Sequence, residues 1–134
     1  MLFQRFAAST AVASVGIAIA VLIVCFVPGL NFSRIYPLLI FWCLAPAVWG
    51  IWALLTPSTW MPKRLPLWGA ILGFMAGSMA AFVLNLPFRI FGVVVSVGFR
   101  GVAVLVMVLF YYLLWMLVRA AWRSLAGTTS SSRD

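Results

Sequence analysis

Apolar residues run almost without interruption along this chain, and the polar ones fall into a few short breaks. The breaks come at Pro28 and Gly29, at TPSTWMPKRLP (residues 56–66), around Arg89 and Arg100, and after Arg119. Between them lie four runs of helical length, 6–27, 35–55, 66–86 and 101–118. A helix rises about 1.5 Å per residue, so about 20 apolar residues cross a hydrocarbon core about 30 Å thick. The pattern predicts an all-α integral membrane protein: one domain, four transmembrane helices in a small bundle, and a flexible polar tail over 124–134.

Prolines punctuate this outline. Pro37 is expected in the first turn of the second span, where a missing N–H costs little, and Pro46 interrupts that span and predicts a kink. Pro57, Pro62 and Pro66 predict a stiff, partly extended connection before the third span. The first run exceeds the apolar core of a signal peptide, about 7–15 residues, which predicts an uncleaved span.

The third run contains GAILGFMAGSMAA, in which Gly69, Gly73, Gly77 and Ala81 recur every four residues along one helix face. Ile71, Met75, Met79 and Val83 line the other side. Small residues let helix backbones approach closely in a membrane, where apolar contact alone gives little preference for protein over lipid. The ridge is therefore the predicted packing face. Its expected partner is the first span, which offers Ser9, Ala13, Gly16 and Ala20; a second copy or another protein's helix are the alternatives.

Ten uncharged residues separate Arg89 from Arg100, too few to cross the membrane. Residues 88–100 thus form either a short interfacial or re-entrant segment, or the start of a long tilted fourth helix. In the second form Arg100 lies at depth and needs a partner: a lipid phosphate, a backbone carbonyl or another chain's carboxylate. Arg89 and Arg100 are accordingly candidate lipid or partner contacts, together with Tyr111, Tyr112 and Trp115, whose aromatic stripe could border a lipophilic site. Ser9, Thr10, Ser14, Ser78 and Ser96 are expected to return their hydroxyls to the local backbone, and Asn85 to sit in a turn.

Composition narrows the chemistry. The 134 residues are 66% hydrophobic and 7% charged, with mean hydropathy +1.21, which leaves no length for a soluble domain. Nine Lys and Arg face a single acid, Asp134, and there is no His. Proton relays, metal sites, haem ligation, catalytic triads and paired carboxylates all draw on the missing residues, so no catalytic, cofactor or metal residue is predicted. Cys25 and Cys43 lack CxxC spacing and are expected to be buried small apolar residues.

The basic residues follow membrane boundaries rather than forming a patch, which argues against nucleic acid and for anionic lipid headgroups. With the N-terminus inside, Arg5, Lys63, Arg64, Arg119, Arg123 and Arg133 fall on the cytoplasmic side, against Arg34, Arg89 and Arg100 outside. Both termini are thus expected in the cytoplasm, with a bacterial plasma membrane as the expected location. Trp52, Trp60, Trp68, Trp115 and Trp122 would gather near the same interface.

A chain almost wholly within the bilayer, without visible chemistry, fits first a non-catalytic accessory subunit of a larger membrane complex. A small homo-oligomeric channel or transporter comes second, and a lipid- or quinone-binding module third.

Overall fold

The computed structural model describes residues 2–28 and 32–131. Five α-helices follow one another: α1 (Leu2–Cys25), α2 (Phe32–Leu54), α3 (Leu65–Ser78), α4 (Leu86–Phe91) and α5 (Val97–Ser131). A single 3-10 turn, Ser58–Trp60, links α2 to α3, and a π-helical turn, Met79–Val83, prolongs α3. Four stretches are long and apolar enough to cross a membrane: Leu2–Cys25, Ile35–Leu54, Leu65–Val83 and Val97–Gly127.

Several boundaries differ from those read in the sequence. The fourth long helix starts at Val97 and continues past Arg119 and Arg123 to Ser131, so the polar stretch from 124 is helical up to that residue; Arg133 and Asp134 lie outside the described residues. A charge marks where hydrocarbon ends, but Arg, Ala, Leu and Trp propagate a helix without it. Helix α2 starts at Phe32, which puts Pro37 in its second turn rather than its first. The proline-rich connection is compact: Trp60 N–H donates to Pro57, and Arg64 N–H to Trp60, at 3.0 and 2.8 Å.

Between Val83 and α5 the chain forms the short helix α4 and then breaks before Val97. Asn85 adopts a left-handed conformation (φ 47°), which Asn tolerates better than most residues, and its carbonyl accepts from Phe88 and Arg89 to open α4. Gly92, at φ 69°, closes that helix in the usual glycine manner. A link without regular secondary structure follows over 92–96, and the Ser96 hydroxyl accepts the Phe99 N–H (3.3 Å), capping α5.

Helix packing is dominated by α3 against α5, then α1 against α2 and α1 against α5, while α4 folds back on α2. Each α3 glycine takes a large residue of α5. A Cβ at Gly69 would strike the Trp115 ring, one at Gly73 would lie 2.6 Å from Tyr111 Cβ, and one at Gly77 would lie 3.1 Å from Met107 Cβ. Four residues forward on α3 match four back on α5, an antiparallel register. The ridge thus meets the last helix rather than the first. The sequence reading sought small residues opposite small ones, but a glycine groove equally receives a bulky knob.

The first helix is used elsewhere. Phe6 and Thr10 close on Gly50 of α2, where an added Cβ would meet the Phe6 ring and lie 2.8 Å from Thr10 Oγ1. The Thr10 hydroxyl donates across to the Pro46 carbonyl (3.3 Å), whereas Ser9 and Ser14 bond within α1, to Arg5 and Thr10 carbonyls at 2.9 and 2.8 Å. Cys25 and Cys43 are exposed, because four helices leave most side chains facing outward.

Candidate functional site

The two ends of the helix assembly differ in how tightly they close. The N-terminal turns of α1, the α2–α3 connection and the second half of α5 share one end: Phe6 lies on Gly50, and Arg119 Nη1 reaches the Lys63 carbonyl at 3.5 Å. A core of Ala13, Trp49, Ala53, Leu65, Leu72, Trp115 and Val118 fills this region, and Trp115 is fully buried.

Tryptophans close this end by bonding to one another's helices. Trp52 Nε1 donates to the Trp68 carbonyl at 3.0 Å and Trp68 Nε1 donates to the Trp52 carbonyl at 2.9 Å, with the rings stacked 4.8 Å apart. Trp60 meets Trp68 edge-on at 5.7 Å. Helix α2 ends at Leu54, so the Trp52 carbonyl is among the last four that lack an intrahelical partner. The Trp68 indole fills that vacancy. The Trp68 carbonyl sits inside α3 and retains its helical partner position, so the two bonds are not equivalent.

An asymmetric cost follows. Trp68→Phe leaves a C-terminal carbonyl of α2 unpaired and is expected to cost about 1–2 kcal/mol, whereas Trp52→Phe should cost about half as much. Unfolding of each variant in mixed detergent micelles, followed by circular dichroism, measures the difference. Equal costs would mean that the capping role is wrong.

Away from that end, α1, α2 and α5 draw apart around an apolar crevice of about 320 Å³. Its α1 wall is built from Val12, Ala13, Gly16, Ile17 and Ala20, and a Cβ at Gly16 would meet nothing within 4 Å. Opposite stand Leu38, Trp42 and Trp49 of α2 with Met107, Phe110 and Tyr111 of α5. Trp49 forms the floor by crossing to α5, 5.3 Å from Tyr111 and 5.7 Å from Trp115 between ring centroids.

The sequence-predicted residues distribute unevenly around these features. Gly69, Gly73, Gly77 and Ala81 are buried, the three glycines within the α3–α5 contact. Trp115 is a buried knob against Gly69 and has no access to lipid. Tyr111 serves both structures, packing on Gly73 and lining the crevice, while Tyr112 is half-buried and lies outside the crevice lining. Arg89 is exposed on α4; Arg100 is half-buried in the first turn of α5, with its Nε buried and unpartnered.

Residues missed in the sequence are Gly50, Trp42 and Trp49. Gly50 carried a readable signal, since Pro46 and Gly50 are four apart and Ala53 follows three later. The two tryptophans carried none that separated them from ordinary core aromatics.

These features define a class: an all-helical protein with four helices long and apolar enough to cross a membrane. No protein-family model, curated protein or solved structure matches the chain.

Proposed function

We propose that this protein is a non-catalytic membrane module that holds one lipid-like chain in the crevice between α1, α2 and α5. The crevice itself carries this reading. It is bordered by the middle portions of three candidate spans, so it is reached from the hydrocarbon, and its walls are almost wholly apolar. A cavity of about 320 Å³ suits one slender occupant. Ligand sites of about 300–1,000 Å³ normally bury most of their occupant, so a single chain sits at the small end of that range.

The glycine ridge left a second copy or another protein's helix as alternatives to the first span for its packing partner. With α5 in that face, the ridge no longer argues for a partner. A lipid-holding module can still work inside a larger complex, and identifying the chains that co-migrate after gentle extraction tests that reading. We place the end bearing Arg5, Lys63, Arg64, Arg119 and Arg123 in the cytoplasm, by the excess of basic residues, with a bacterial plasma membrane as the setting.

Filling the crevice tests the proposal without touching the core. Gly16 has open space at its Cβ, so Gly16→Leu is expected to keep its helical content and thermal midpoint while losing lipid that co-purifies with the wild type. Quantifying lipid per protein after detergent extraction and gel filtration reads this out. Equal lipid in both proteins would remove the crevice as the holding site.

A further inference from the structure

Arg100 lies on α5 outside the crevice lining, on the helix face that also bears Met107 and Tyr111. Arg100 precedes Met107 by seven residues, nearly two full turns, so the two lie about 20° apart on the helix and about 10 Å apart along it. Tyr111 continues the same face, about 16 Å from Arg100, close to the depth of one leaflet of a hydrocarbon core about 30 Å thick. Arg100 is half-buried and its Nε has no hydrogen-bond partner. The described residues contain no carboxylate side chain, because the only acid in the sequence is Asp134. A guanidinium partly withdrawn from water needs an anion, and it pairs best with planar or tetrahedral oxyanions that accept two parallel N–H bonds.

We infer that the occupant of the crevice is an anionic phospholipid, whose phosphate pairs with Arg100 while one acyl chain runs past Met107 to the Trp49–Tyr111 floor. This rests on the crevice reading above and adds the headgroup to it. The length fits, since a chain anchored at Arg100 reaches Tyr111 across about one leaflet. Charge selects the lipid class. Arg89 on α4 adds a second positive charge in the segment preceding α5, and no described acid is present to meet the amine of a zwitterionic headgroup.

Native mass spectrometry of the full chain in mild detergent, with phosphatidylglycerol or phosphatidylcholine of identical acyl chains, tests the assignment. Wild type should retain phosphatidylglycerol about tenfold better, the scale of one charge-assisted pair. Arg100→Gln should abolish the preference and Arg100→Lys should keep part of it, which separates lost pairing from lost fold. Lys63→Gln with Arg64→Gln, at the opposite end, should leave the preference unchanged, and inorganic phosphate should not compete. Equal retention of both lipids by wild type, lost in Gly16→Leu, would overturn the headgroup assignment and leave the crevice reading standing. Retention unaffected by Gly16→Leu would overturn both. A preference that survives Arg100→Gln, or that disappears with the Lys63 and Arg64 changes, would remove Arg100 as the anchor, and one that disappears with added phosphate would overturn the lipid headgroup in favour of a free oxyanion.

Discussion

Replacing Trp115 with alanine is expected to destabilise the protein by about 3 kcal/mol, the largest effect of any single truncation here. Its side chain is fully buried, fits against Gly69, and touches Trp49 at the floor of the crevice. In water-soluble proteins Trp→Ala costs about 3–5 kcal/mol, as a transfer term plus a cavity term. Helices that separate within a bilayer expose Trp115 to lipid rather than water, so the transfer term shrinks and the cavity term dominates. The lower end of that range is therefore expected. Trp115→Phe should cost markedly less, because it keeps most of the volume and removes an indole N–H that is buried without a partner. Unfolding in mixed micelles measures both; a Trp115→Ala protein as stable as wild type would show that α3 and α5 do not meet through this residue.

Gly69→Leu is the second large effect, and it acts from the other side of the same contact. A single added Cβ already collides with the Trp115 ring, so neither side chain nor backbone can remain in place. Overpacking typically costs about 1–3 kcal/mol, and here the antiparallel register of the remaining glycines must also give way, which points to the upper end. Gly69→Ala should be milder and should lose most of its cost when combined with Trp115→Leu, a coupling of about 1–2 kcal/mol. Gly16→Leu, in contrast, adds a larger side chain where there is space. Two glycine substitutions of identical chemistry are thus expected to differ by several kcal/mol because one faces an aromatic knob and the other an opening. Purely additive behaviour of Gly69→Ala and Trp115→Leu would contradict the pairing.

Much of the architecture was legible because it depends on length and hydropathy alone. Four helices long and apolar enough to cross a membrane could be read from the runs between polar breaks, and Asn85 marked a turn between the third and the last. The partner of the glycine ridge was not legible. Small residues on α1 looked complementary to it, yet Thr10 reaches α2 and Ala13 packs in the core, and which of two helices fills a groove depends on loop geometry that hydropathy does not encode. Helix ends were misread for a related reason: Arg119 and Arg123 mark a polarity boundary, and α5 passes through it. The crevice was anticipated only as a stripe of Tyr111, Tyr112 and Trp115. Ala13, Gly16 and Ala20, which line it with Val12 and Ile17, had been assigned to packing, because a small residue reads the same whether a neighbour fills the space beside it or leaves it open.

The closed and open ends also divide the work of the chain. Tryptophan bonds hold one end together, and the α3–α5 contact continues from Gly69 past Gly73 to Gly77, beside the gap between α1, α2 and α5. Holding a single chain in that gap requires no titrating group and no metal, in keeping with a sequence that has one acid and no histidine.

The most direct test of the central claim is photocrosslinking with a phospholipid carrying a diazirine in its acyl chain, added at low mole fraction and followed by gel filtration to remove loosely held lipid. Peptide mapping of the adducts is expected to place them on Gly16, Leu38, Trp42 and Met107, with labelling lost in Gly16→Leu. Adducts spread over outward-facing residues such as Ile23, Phe74 and Leu105, with none in the crevice, would contradict the account.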